Sequence, residues 1–242
     1  MRIISFDIGI RNLAYCIMKT TPSTSANDAS ESKSEEQKTH PWSILTIEAW
    51  ECVDVLTDSG CKAADCKKVS MDRVAQHVTS TLHRRENLFF KEPIDYILVE
   101  RQVRKAPRNM MTSMAVLCYF LNYNLHQSPE HPVQIPRPVL VSAAGKLSVN
   151  VEPACFASNT AVHHFANDKS LNASQNKTRR KNKAIELCKT ILDFTPSLQS
   201  WKSFFIRGKK DDKADSFLQG LYYLQNIMPT KPTRKKRKRN EF

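Results

Sequence analysis

Hydrophobic and polar positions change period several times along the chain, and each change predicts an element. Arg2 to Ile8 is apolar and β-rich, and Asn12 to Met18 (NLAYCIM) follows it after the tight turn Gly9-Ile10-Arg11, so both read as strands. Residues 20 to 41 contain no Val, Leu, Ile, Met, Phe, Tyr or Trp and predict a disordered polar loop. Ser43 to Leu56 resumes as a strand rich in Ile, Val and Trp, which completes an antiparallel three-strand meander. Val69, Met71, Val74, Val78, Leu82 and Leu88 follow roughly helical spacing. Ile94 to Val99 (IDYILV) has the short apolar run of a buried central strand and ends on Glu100. Asn109 to Leu125 predicts an apolar helix, and Val133 to Val141 a strand that Pro136 and Pro138 confine to an edge or a bulge. Residues 148 to 175 read as an irregular polar insertion. Lys177 to Leu192 predicts a basic-faced helix with Ala184, Ile185, Cys188, Ile191 and Leu192 on its apolar side. After a loop from Phe204 to Lys210, Asp211 to Met228 predicts the last helix. The order predicts an α/β fold: a mixed sheet, meander plus parallel strands, flanked by helices. We expect one domain over residues 1 to 230 and a disordered basic tail over 231 to 242.

Composition narrows the function. A chain of 242 residues suits one domain and excludes two-lobed architectures, which need well over about 300 residues. The five glycines (Gly9, Gly60, Gly145, Gly208 and Gly220) are too dispersed for a GxGxxG or GxxxxGK[ST] phosphate loop. A formal charge of +13 favours a polyanionic partner, nucleic acid before anionic membrane. The most apolar stretch, Met110 to Leu125, is short and carries Thr112, Ser113, Asn122 and Asn124, so no membrane span is expected. Seven scattered cysteines, an odd number, read as reduced intracellular thiols, and the N-terminus shows no signal or leader pattern. Cys61, Cys66, His77 and His83 loosely follow a zinc-site order, but two histidines six apart on a helix face different ways, so surface residues are expected there.

Four acids stand out by position. Asp7 lies inside an apolar strand, where a charge is costly unless it is paired or binds metal. Glu100 ends the other strongly apolar strand, and strand ends are where α/β sheets place ligand sites. Asp212 and Asp215, three apart on a helix, project from one face, with Asp211 as a second register. Each has an ordinary alternative: a turn or cap for Asp7, an ion pair with Arg101 for Glu100, a helix-dipole role for the DxxD. Together they form a cluster whose mutual repulsion a hard divalent cation relieves. Two magnesium ions about 3.5 to 4 Å apart, for which Mn2+ could substitute, would support in-line hydrolysis of a phosphodiester with Asp7, Glu100, Asp212 and Asp215 as ligands.

The segments FDIGIRNLAY, ILVERQ with its basic sequel, and KKDDKADSFLQGLYYL resemble the Holliday junction resolvases of the RuvC type, in the branch of the poxvirus and fungal mitochondrial resolvases. That resemblance implies a ribonuclease H-like fold and a structure-specific endonuclease that makes paired symmetric nicks in four-way DNA junctions. It places the catalytic acids at Asp7, Glu100, Asp212 and Asp215. Lys210 is the candidate to assist the scissile phosphate. Arg11, Arg101, Arg104, Lys105, Arg108, Lys177, Arg179, Arg180, Lys209 and Lys213 are candidates to neutralise DNA phosphates, as are Lys181 and Lys183. Helix 109 to 125 is apolar almost all round, which suggests a homodimer interface suited to a two-fold symmetric junction. By resemblance the setting is mitochondrial; a nucleus or a viral replication site stays open. The run Lys231 to Arg239 suits a nuclear signal or a DNA arm. Three rivals remain: an actin-like sugar kinase, which too few glycines disfavour; another ribonuclease H-like nuclease acting on RNA–DNA hybrid or branched DNA; and a non-catalytic junction-binding protein, which four unneutralised carboxylates disfavour.

Overall fold

The computed structural model describes residues 1–20, 45–58, 68–103, 106–123, 135–149 and 170–227. Five strands form one sheet: β1 (Arg2–Asp7), β2 (Asn12–Thr20), β3 (Leu45–Asp54), β4 (Tyr96–Glu100) and β5 (Val139–Val141). Their spatial order is β3-β2-β1-β4-β5. The first three form the antiparallel meander, while β1 pairs parallel with β4 and β4 with β5. The expected mixed sheet is therefore the observed one.

Helices cover both faces, and strict alternation along β1 decides which side chain meets which layer. Ile4 and Phe6 face α1 (Met71–His83) and α3 (Pro107–Tyr123) in a core that includes Tyr15, Phe89 and Phe120. Ile3 faces α4 (Ala173–Phe194) and α6 (Lys210–Ile227), in the core of Met18, Trp50, Leu98 and Phe217. Each such fully buried side chain contributes about 1.5 to 3 kcal/mol of burial energy before entropy is subtracted. Trp50 stacks on Phe205 at 5.2 Å between ring centroids, and its indole N–H donates to the Lys213 carbonyl at 3.0 Å.

Several boundaries differ from expectation for identifiable reasons. The helix expected from Val69 to Leu88 splits into α1 and α2 (Glu86–Phe89). At the break the Arg85 amide bonds Leu82, three residues back, and the Arg85 guanidinium takes the Thr81 carbonyl instead. Helix α4 starts earlier than expected because Asn172 and Gln175 form a reciprocal capping box. The strand expected from Val133 shrinks to Val139–Val141, following the two prolines. Two 3₁₀ segments, Ala143–Ser148 and Pro196–Trp201, and the short α5 (Lys202–Phe205) were not foreseen. The polar loop beyond Thr20, residues 150–169 of the insertion and the basic tail lie outside the described residues.

Candidate active site

The same alternation that buries Ile3 carries Ser5 and Asp7 toward α6. On β4, Leu98 packs on the α4/α6 side while Ile97 and Val99 pack on the other, so Glu100 follows Leu98. Because β1 and β4 are parallel neighbours, Asp7 and Glu100 finish side by side at the C-terminal end of the sheet. Asp215 reaches them from the second turn of α6. Two close approaches hold that helix down. A methyl group on Gly220 would come within 1.8 Å of the Met18 methyl, and one on Gly145 within 2.3 Å of the Tyr222 ring.

Gly145 delivers its neighbour to the centre of the site. The Lys146 ammonium lies 2.7 Å from Asp7 Oδ1, 3.2 Å from Glu100 Oε1 and 3.4 Å from Asp215 Oδ2, and the residue is only 4% exposed. Burial would lower its pKa, but the three carboxylates raise it, so it stays charged. Asp7 is pushed well up by burial, against the pull of Lys146 and with the push of Glu100 and Asp215. Burial also raises Glu100, but Lys146 and hydrogen bonds from Asp7 and Gln102 bring it below the ordinary carboxylate range. Burial raises Asp215 too.

Three of the four expected acids therefore converge. Asp212 does not contact Lys146: it sits one turn earlier on α6, accepts a hydrogen bond from Asn12 and lies 4.0 Å from Cys52 Sγ, and burial and Asp211 raise its pKa. Among the described residues, no three His, Cys, Asp or Glu side chains are closed around a common point for an ion. The ammonium of Lys146 stands where Asp7, Glu100 and Asp215 meet. The donor set, three carboxylates converging on one ammonium, nevertheless fits a hard divalent cation.

A cleft of about 610 Å³ opens onto these residues, lined by Glu100, Lys146 and Asp215 on one side and Lys177, Arg180 and Lys181 of α4 on the other. Lys181 pairs with Asp211, which ties the basic helix to the start of α6. Arg179 faces a different groove with Lys183. Arg101 and Lys209 are exposed.

Other basic positions make contacts within the fold. Lys213 is buried, donates to the Phe204 and Arg207 carbonyls and lies 3.9 Å over the Phe204 ring, so it fastens α5 to α6. Arg11 pairs with Asp54 at 2.6 Å, and Arg108 donates to the Val69 carbonyl. Lys210 opens α6, half-buried; the lysine that the fold brings to the carboxylates is Lys146. Arg104 and Lys105 lie outside the described residues, as do Cys61 and Cys66 of the zinc reading; His83 pairs with Glu86 at 2.8 Å. Sequence pattern does not single out Lys146, because it follows a short strand inside a 3₁₀ turn. The signal was available, since it sits just beyond a parallel strand end, as Glu100 does.

Comparison with known proteins adds an independent line. The family model described as mitochondrial resolvase Ydc2 / RNA splicing MRS1 matches residues 3–126. Among solved structures, the chain is similar to the fowlpox virus resolvase in complex with substrate Holliday junction DNA, with 16% identity and a TM-score of 0.49 over 95% of this chain and 100% of that one. It is similar to the yeast mitochondrial Holliday junction resolvase Ydc2, with 19% identity and a TM-score of 0.47 over 93% and 79%. It is also similar to Thermus thermophilus RuvC, with 15% identity and a TM-score of 0.44 over 93% and 96%. No curated protein sequence matches. The family match spans the first strand with Asp7, the meander and the strand that ends on Glu100, and on it the chain belongs to the family of the mitochondrial resolvase Ydc2 and the RNA-splicing protein MRS1.

Proposed function

We propose that the protein is a metal-dependent endonuclease that resolves four-way DNA junctions with paired nicks, one from each subunit of a homodimer. The observation that carries this is the convergence of Asp7, Glu100 and Asp215 around Lys146, in a cleft whose facing wall is the basic side of α4. Asp7, Glu100, Asp212 and Asp215 would hold magnesium, as two ions, with manganese as a substitute. When bound, the metal would supply an activated water and stabilise the leaving oxygen. The chain's own residues do the rest. Asp7, nearly sealed from solvent, gives the site a dry floor on which charge interactions are strong. Lys146 offers a positive charge to the phosphate oxygens as negative charge develops. Lys177, Arg180 and Lys181 position the strand through its backbone, without reading sequence.

The dimer reading rests on α3. Thr112, Ala115, Val116 and Phe120 face inward, while Met110 and Leu121 are 39% and 41% exposed and Met114 is 51% exposed. These outer residues recur at helical spacing and leave an apolar stripe that a second copy would cover. The family's mitochondrial resolvase favours a mitochondrial setting.

Cleavage of a labelled mobile four-way junction tests the reading, with linear duplex and RNA–DNA hybrid as controls, in magnesium and in EDTA. Paired nicks in the junction are expected in magnesium only, with Asp215→Asn binding the junction and cutting nothing. Cutting of the hybrid alone, or of no substrate in any metal, would refute it.

A further inference from the structure

Glu100 is held by a chain of amides that runs away from the cleft into α3. Gln102 Nε2 lies 3.0 Å from Glu100 Oε2, and Gln102 Oε1 lies 3.3 Å from Asn109 Nδ2. The orientation of both amides follows from the carboxylate. An ionised carboxylate only accepts hydrogen bonds, so Gln102 must turn its NH2 toward Glu100. Its oxygen then faces Asn109, which must in turn present its own NH2. Asn109 lies in the first turn of α3, which begins at Pro107. Without Asn109 the Gln102 oxygen loses its partner, and only the NH2 contacts to the Glu100 carboxylate and carbonyl, at 3.0 and 3.5 Å, hold the side chain in place.

We infer that Gln102 and Asn109 are positioning residues that act in series on Glu100. Asn109 anchors the Gln102 amide through its oxygen, and Gln102 aims the Glu100 carboxylate for cation binding. The inference rests on the nuclease reading above and deepens it. The first turn of the helix that carries the outer apolar stripe then belongs to the outer sphere of the cation site. Outer partners of this kind typically govern about 10- to 100-fold in metal affinity.

The test is a double-mutant cycle on the full chain with Gln102→Met and Asn109→Leu, near-isosteric changes that remove the amides. Mn2+ binding to the DNA-free protein, followed by electron paramagnetic resonance, gives the affinity. Junction cleavage across a magnesium titration gives the half-saturating concentration and kcat. Thermal midpoints in EDTA report folding, and Asn109→Ala stands in if the leucine is not accommodated. Gln102→Met should weaken Mn2+ about tenfold and raise the half-saturating magnesium by a similar factor, with kcat at saturation within about threefold. Asn109→Leu should do the same to a smaller degree, and it should add nothing in the Gln102→Met background. That non-additivity is what a series predicts and a general packing defect does not. Junction cleavage by the wild type with unchanged Mn2+ affinity in either variant, or with effects that add, would overturn the relay alone. A wild type that neither binds Mn2+ nor cuts would overturn the relay and the nuclease reading together.

Discussion

Lys146→Met removes the one cation among three carboxylates, and the structure sets the size of the effect. The ammonium lies within 3.4 Å of all three acids, and its side chain is 4% exposed, against 10% for Asp7, 15% for Glu100 and 36% for Asp215. Removing one partner of a buried ion pair costs about 3 to 5 kcal/mol, because the other charge stays behind. Asp215 is open enough for water to screen its share, so about 3 kcal/mol is the working figure. In a domain of this size each kcal/mol moves Tm by about 2 to 4 °C, so metal-free Lys146→Met should melt about 6 to 12 °C below wild type. Magnesium narrows the gap. A cation at about 100 times its Kd stabilises the folded state by about 2.7 kcal/mol. In the variant it need not compete with an ammonium, so its stabilising shift should exceed that of wild type and recover most of the loss. Thermal melts of both proteins and of Lys146→Arg, in EDTA and in magnesium, measure this directly. Cleavage by Lys146→Met should stay lost in magnesium. A metal-free midpoint within about 2 °C of wild type, or equal magnesium shifts in both, would refute the reasoning.

Two further outcomes follow from the surfaces. Replacing Lys177 and Arg180 of the cleft wall with Gln should lower the slope of log K against log salt for junction binding by about 0.9 for each phosphate no longer neutralised, without changing sequence preference; an unchanged slope in a salt titration by fluorescence anisotropy would move the DNA elsewhere. Met114→Glu with Leu121→Glu should turn a dimer into a folded monomer in sedimentation velocity, and paired nicks should give way to single, uncoupled ones; a wild type that is monomeric with and without junction DNA would exclude α3 as an interface.

Much of the site was legible because strands have a period of two and helices a phase. Asp7 and Glu100 stood out as charges closing apolar runs, and once β1 and β4 are parallel neighbours, Ile3 and Leu98 fix which face those charges take. The phase of α6 also held a warning that was missed. Lys213 precedes Phe217 by four residues, so it points into the core with that ring, and its place beside the DxxD in the sequence misleads about its place in space. Lys146 had no period to betray it. Its position depends on a backbone contact, Gly145 against the Tyr222 ring, between segments far apart in sequence.

The charge arrangement gives a physical reason for keeping so many acids in one buried place. Asp7, Glu100 and Asp215 carry up to three negative charges against the single positive charge of Lys146, so the site is under-neutralised as it stands. Burial and the neighbouring carboxylates push the Asp7 pKa up, while Lys146 and hydrogen bonds hold Glu100 down. Burial that protected a structural ion pair would instead tend toward one cation for each anion. Here the excess faces a cleft, and the opposite wall, with Lys177, Arg180 and Lys181, is basic. A negative floor under a positive wall repels a DNA backbone that touches the floor alone and attracts one that spans both. A divalent cation on the floor removes that conflict, and the same backbone is then held from two sides. On the proposed reading, metal and DNA would each favour the other's binding. The coupling should appear as tighter junction binding in magnesium than in EDTA at equal ionic strength, most strongly where Asp7, Glu100 and Asp215 are all intact.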